Sequence, residues 1–170
     1  MFTAQGYDAT TIEQIAAAAE ISPATFFRYF PTKEDLLIQD EFDPLLSAAL
    51  LAAPADEPTV RAVRRAVRET FDAMPAGQRT GIRVRMKMIM SIPSARARAI
   101  DNIMAGVDVL AEPLGRRLGV PTAHPRARAQ AGAIIGAMLT AVLSAAAGDG
   151  TRDLRDEIDD ALAALEELAG

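Results

Sequence analysis

Between residues 11 and 21 the apolar side chains fall at Ile12, Ile15, Ala16 and Ala19. That spacing, i, i+3, i+4, i+7, is one face of a short helix. Thr11 stands before it and Gln14 three residues later, the pattern of a capping box: the Thr11 hydroxyl accepts from the Gln14 N–H, and Gln14 reaches back. Ala17 and Ala18 leave the other side thin, so a second helix can approach closely. Ile21 is expected to plug the core at the turn. Ser22-Pro23 then restarts the chain, since Ser caps well and Pro fits the first helical position. On the helix this predicts over 23–30, Phe26 and Phe30 share one face at i, i+4. Ala24, Phe27 and Arg28 point the other way, with Thr25 and Tyr29 at the flanks. Thr32 caps a third helix, with Lys33 at its N-terminus.

The rest of the chain also reads as helices. The third runs from Lys33 into Ala52 with Leu36, Leu37, Leu45, Leu46 and Leu50 apolar, and Pro44 predicts a kink or break near Phe42–Asp43. Residues 53–58 (APADEP) form a linker. Thr59–Met74 is amphipathic, with Val60, Val63, Val67 and Phe71 on one face and Arg61, Arg64, Arg65 and Arg68 elsewhere; residues 75–81 break it. In 82–92, Ile82, Val84, Met86, Met88 and Met90 alternate with Arg83, Arg85 and Lys87, a period-2 pattern. With no partner strand elsewhere, it reads as a helix. A further helix runs from Pro93 towards Leu118, with Ile100, Ile103, Met104, Val107, Leu110 and Ala111 apolar and an interruption expected at Pro113. Residues 119–125 are a loop. Arg126–Ala147 and Thr151–Leu168 are paired helices around the Gly148-Asp149-Gly150 turn. The fold class is all-α.

A helix, a tight turn and a second helix ending in aromatics is the layout of a helix-turn-helix, whose second helix enters the DNA major groove. An outward Phe27 beside Arg28 and Tyr29 is hard to explain as packing. It suits an apolar contact to a thymine methyl, a base or phosphate contact by Arg28, and a phosphate contact by Tyr29. Lys33 sits where helix N–H groups and a positive charge meet a phosphate. The segment resembles the TetR family of transcriptional regulators. The resemblance rests on Gly6-Tyr7, Thr10-Thr11, Ile15-Ala16, Ala19, Ser22, Thr25, the run Phe26–Phe30 and Lys33. It implies a homodimer that binds a double-stranded DNA operator, most simply a repressor released by a small molecule held in C-terminal helices. It divides the chain into a helix-turn-helix head (1–40) and a helical ligand-binding and dimerisation bundle (41–170). The DNA-binding set becomes Thr11, Ser22, Ala24, Thr25, Phe27, Arg28, Tyr29 and Lys33. Phe71, Met74, Met86, Met88, Met90 and Met104 are candidate lining for an apolar or amphipathic ligand, although a methionine cluster is more commonly core. Ile135, Met138, Leu139 and Val142, with Ile158, Leu162 and Leu165, are candidates for a four-helix interface between two copies.

Two features depart from the family pattern. Only Met1–Gln5 stand where the family carries a full first helix, with Phe2 matching the aromatic that closes it. One turn cannot sustain itself in water, so an upstream segment is expected. Glu20 replaces the Gly usual in the turn, which predicts mild strain.

Charge and composition narrow the rest. Residues 1–50 carry two basic and eight acidic side chains, a net −6, in a chain whose total is −5. Phosphate neutralisation dominates nucleic-acid affinity, so an acidic head is unexpected; a dimer doubles Arg28 and Lys33. Cysteine is absent, and His124 is the single histidine. No His/Cys metal cluster, Cys–His pair, nucleophile elbow or phosphate-binding loop is present, so no metal, cofactor or catalytic residue is assigned and the chain does not read as an enzyme. The apolar stretch near 131–147 contains Gly and Thr and reads as a buried helix rather than a membrane span. Lack of cysteine suits the cytoplasm. The alternative function is a helical dimeric module that binds a small molecule or protein and has lost DNA binding.

Overall fold

The computed structural model describes residues 1–38 and 42–169, which form two compact units, Met1–Gln39 and Asp40–Gly170. The first unit holds α1 (Phe2–Gln5), α2 (Ile12–Ala18), α3 (Pro23–Tyr29) and α4 (Asp35–Ile38). The second holds α5 (Phe42–Ala52), α6 (Thr59–Ala73), α7 (Ala76–Ser91), α8 (Pro93–Leu118), α9 (Pro125–Ala147) and α10 (Leu154–Ala169). No strand occurs among the described residues.

The core of the second unit is built from α5, α6, α8, α9 and α10. Leu50, Val63, Val67, Phe71, Leu110, Leu114, Ile134, Leu154, Ile158 and Leu162 meet there, with Ala62, Ala66, Ala111, Ala127 and Ala131 letting the helices approach. α9 packs against α8 and α10, and α10 crosses back to α6. Burial on α6 falls at positions 62, 63, 66, 67 and 71, the 3.6-residue repeat of one helix stripe.

Several boundaries differ from the sequence reading. The helix expected over Lys33–Ala52, with a kink or break near Phe42–Asp43, is described as two helices, α4 from Asp35 and α5 from Phe42. α5 begins at Phe42, and Pro44 is its third residue, where a missing N–H breaks no bond. The link from α4 to α5, 39–41, lies outside the described residues. α7 begins at Ala76 instead of after Gly81, so only Met74 and Pro75 separate it from α6. The alternation in 82–92 is helical, which sends Val84 and Met90 to the surface and buries Ile89. α8 runs through Pro113 without interruption. A proline there removes only the bond to the Val109 carbonyl, and buried Leu110, Ala111, Pro113 and Leu114 carry the helix past it.

Polar ties hold the bundle together. Arg64 of α6 donates two hydrogen bonds to Asp159 of α10, both 2.9 Å, and one to Glu166 at 2.8 Å. Arg61 adds bonds to Glu166, and Arg68 one to Asp159. Glu157 pairs with Arg83 of α7. The acidic side of α10 is therefore largely an ion-pair seam. Arg117 of α8 donates to the carbonyls of Leu50, Ala53, Pro54 and Glu57, closing the end of α5 and fixing the 53–58 linker. This matters because the last carbonyls of a helix have no partners of their own.

Asp159 is half-buried. Its two bonds from Arg64, reinforced by Arg68, outweigh desolvation and hold its carboxyl at about 2, below its ordinary 3.8. A depressed carboxylate contributes stability in full above its unfolded value and loses it as pH falls through the folded one. Stability is therefore expected to fall between about pH 4 and pH 2 through this group. In urea titrations, Asp159→Asn should cost about 1–2 kcal/mol at pH 7, between exposed and buried ion-pair values. The gap to wild type should narrow at pH 3. An unchanged gap would assign the cost to packing instead of charge.

Candidate nucleic-acid interface

α2 is held at its start by the capping box expected for it. The Thr11 hydroxyl accepts from Gln14 N–H at 3.3 Å, and Gln14 Oε1 accepts from Thr11 N–H at 3.1 Å. Gln5 Nε2 donates to the same Gln14 oxygen (2.9 Å) and to the Thr10 hydroxyl (3.1 Å), tying α1 to the start of α2. Thr10 is wholly buried, and its hydroxyl donates to the Gly6 carbonyl at 2.6 Å.

α2 ends in a Schellman turn. Ile21 N–H donates to the Ala16 carbonyl and Glu20 N–H to the Ala17 carbonyl. That closure needs a left-handed residue, and Glu20 supplies it with φ 56°. The strain expected at Glu20 is present, and a side chain with a Cβ bears it where Gly would not. The expectation for Ile21 is corrected: it is 36% exposed and plugs nothing. The tight turn puts it at the rim, and Ile12 and Ile15 are half-buried.

α3 starts on Ser22, whose hydroxyl accepts from Thr25 N–H at 3.0 Å and bonds the Thr25 hydroxyl at 2.9 Å. Pro23 takes the first helical position. Phe26 is buried and Phe30 half-buried, their rings 5.4 Å apart. Ala24, Phe27, Arg28 and Tyr29 are exposed and Thr25 half-buried, and Phe27 leaves 50% of itself in solvent. The Arg28 guanidinium lies 4.9 Å from the centre of the Tyr29 ring and 3.4 Å from its hydroxyl. Phe27, Arg28 and Tyr29 are thus consecutive, outward side chains on a helix anchored from below by Phe26.

Lys33 is placed differently from its neighbours. Its Nζ donates to the carbonyls of Tyr7 (2.8 Å) and Thr10 (3.0 Å) and lies 4.0 Å from the centre of the Tyr7 ring. The expectation for Thr32 is corrected: α4 begins at Asp35, and the Thr32 N–H and hydroxyl both donate to Asp35 Oδ2 at 2.8 Å, so the hydroxyl accepts from no helix N–H among the described residues. Sequence reasoning missed the Gln5–Thr10–Gly6 and Lys33–Tyr7–Thr10 ties. The first is local, but nothing in a one-dimensional pattern joins residues 7 and 33.

In the second unit the suggested pocket residues differ in exposure. Phe71 is core, Met74, Met86 and Met88 are half-buried, and Met90 and Met104 are exposed, Met104 by 54%. Of the suggested interface residues, Ile158 and Leu162 are enclosed in the unit's own core, so they present nothing to a second copy. Ile135, Met138, Leu139, Val142 and Leu165 are half-buried. α9 is long and apolar enough, by length and composition alone, to cross a membrane, with a mean hydropathy of 1.6 over its best stretch. Only 28% of that stretch is buried, so it is a half-covered helix with an apolar outer side, not the enclosed one expected. No group of three or more His, Cys, Asp or Glu suited to a metal occurs among the described residues.

A capped helix, a left-handed turn and a second capped helix with an outward aromatic-cationic face define a helix-turn-helix protein. Comparison with known proteins places it further. Residues 1–39 match the bacterial regulatory proteins of the tetR family, and residues 57–169 match the MftR C-terminal domain of the TetR group. The chain belongs to the TetR family of transcriptional regulators. The HTH-type transcriptional regulator TcmR of Streptomyces glaucescens is 38% identical over 92 residues, 53% of this chain and 41% of TcmR. The match thus spans less than half of that relative. FadR of Thermus thermophilus, a TetR family transcriptional repressor solved with lauroyl-CoA, shares the fold with a TM-score of 0.60 at 24% identity. That alignment covers 98% of this chain and 88% of FadR. Members of the family are DNA-binding regulators, not enzymes.

Proposed function

We propose that this chain is a sequence-specific DNA-binding regulator that acts as a homodimer in the cytoplasm, a repressor released by a small molecule. The observation that carries the reading is the α3 surface. The Phe27 ring touches Phe26 edge-on at 5.6 Å yet leaves half of itself in solvent beside an outward guanidinium, and the major groove offers thymine methyl groups and guanine acceptors to that pair. Thr11, Ser22, Ala24 and Thr25 hold or flank that surface. The outer side of α9, through Ile135, Met138, Leu139 and Val142, with Leu165 of α10, is the face for a second copy. Pairing of two such helices from each copy buries apolar area that one chain leaves open. The ligand is apolar or amphipathic. Half-buried Met74, Met86 and Met88 are adaptable lining, and FadR shows that this fold accommodates lauroyl-CoA.

The test starts with selection from random duplex DNA, followed by fluorescence anisotropy on the selected duplex. Arg28→Ala should weaken binding at least tenfold, as loss of a good base contact costs about 1–3 kcal/mol per half-site. Helical content should stay unchanged. An Arg28→Ala variant that binds as tightly as wild type would remove α3 as the reading surface.

A second reading, a binding module without DNA affinity, is favoured by charge. Residues 1–39 hold two basic side chains against five acidic ones. It predicts that selection enriches no duplex even at low salt.

A further inference from the structure

We propose that Lys33 is a positioning residue of the DNA-binding head, locking the Tyr7–Thr10 segment beneath the start of α2, and is not a phosphate ligand. This rests on the DNA-binding reading above. Two of the three ammonium protons are spent on the Tyr7 and Thr10 carbonyls, and the Tyr7 ring lies against the charge. Both carbonyls belong to the non-helical segment that precedes the α2 N-cap, where the Tyr7 carbonyl also accepts from the Thr10 N–H at 3.2 Å. A charged donor on such carbonyls forms the stronger class of hydrogen bond, and swinging out to a phosphate would give up two of these bonds and the ring contact together. The segment is also fastened from its other side by the Thr10 hydroxyl on Gly6 and by Gln5 on Thr10 and Gln14. Lys33 thus joins the chain after α3 to the chain before α2, across 26 residues. α2 and α3 pack together, so the tie sets the tilt at which α3 presents Phe27 and Arg28.

The chain has only two lysines, and exposed Lys87 is an internal standard for Lys33. Reductive methylation of the intact wild-type protein, read by mass spectrometry, should modify Lys87 readily and Lys33 slowly, with or without the selected duplex. A Lys33 that reacts as fast as Lys87 in the free protein overturns the proposal. So does one that becomes protected only when DNA is added. Anisotropy on the selected duplex across a salt series gives the second readout. Lys33→Met should weaken binding about tenfold or more, with the slope of log K against log salt unchanged. A phosphate contact instead predicts a slope smaller by about 0.9 per protomer, and that result overturns the proposal. A lower melting temperature with unaltered affinity also overturns it, because the residue is then only structural. If wild type binds no duplex while Lys33 stays protected, the DNA-binding reading has failed and the tie is a fastening without that role. The methylation result separates this case from a missing tie.

Discussion

Phe26→Ala is expected to unfold the head while leaving the helical bundle intact. Phe26 is the largest enclosed side chain of the first unit, which otherwise encloses little beyond Thr10, Ala16, Leu37 and Ile38. Truncating a buried Phe costs about 3–5 kcal/mol from lost transfer energy and the cavity left behind. A unit of this size buries a smaller fraction of its surface than a full domain and has little stability in reserve. Hydrogen exchange followed by mass spectrometry should show protection lost across α2 to α4 and kept in α6, α9 and α10, with DNA affinity gone. Phe26→Leu should retain much of both. Wild-type protection of α2 and α3 in Phe26→Ala would mean that Phe26 is not what seats the recognition helix.

Gly115→Val should be the most damaging single change among the glycines. α8 ends in a second Schellman turn, with Val120 N–H on the Gly115 carbonyl, Gly119 N–H on the Arg116 carbonyl, and Gly119 left-handed at φ 65°. The chain doubles back over Gly115 so closely that a Cβ there lies 2.9 Å from the Val120 carbonyl oxygen and 3.3 Å from the Thr122 nitrogen. Both are backbone atoms and cannot rotate aside. Overpacking of this kind costs typically about 1–3 kcal/mol, and valine adds two methyl groups beyond the clashing carbon. Urea denaturation should show a lower midpoint with an unchanged slope, and Gly115→Ala a smaller drop in the same direction. A wild-type midpoint for Gly115→Val would show that residues 119–122 yield without penalty.

The two Schellman turns also show what could be read from the chain in advance and what could not. Caps and turns are local chemistry. Thr11 with Gln14, Ser22 with Pro23 and the strain at Glu20 were therefore visible in a few neighbouring letters. The buried face of α3 followed from the same short range, because Phe26 and Phe30 sit one turn apart. The reading failed where an outcome depends on what lies across from a residue. Ile21 has the composition of a plug, but the turn carries it to the rim. Ile158 and Leu162 have the spacing of an interface, yet a helical wheel cannot tell a stripe facing α6 from one facing another molecule. Asp159 and Glu166 look like solvent-facing acids until α6 brings Arg61, Arg64 and Arg68 alongside. Lys33 was read as a phosphate contact because it stands where helix N–H groups and a positive charge would meet one, and only the fold shows the carbonyls of Tyr7 and Thr10 within reach.

The pairing of α6 with α10 has a consequence during synthesis. Arg61 and Glu166 are 105 residues apart, and the apolar stripe of α6 is closed partly by Ile158 and Leu162. At ~5–20 residues per second, roughly 5–20 s pass between the emergence of α6 and that of its cover. The head needs no such wait, since its Lys33–Tyr7 tie spans only 26 residues. On the ribosome the nascent chain thus carries a folded head above an uncovered stripe of Val63, Val67 and Phe71. That interval is when a chaperone, or a neighbouring nascent copy, has its opening.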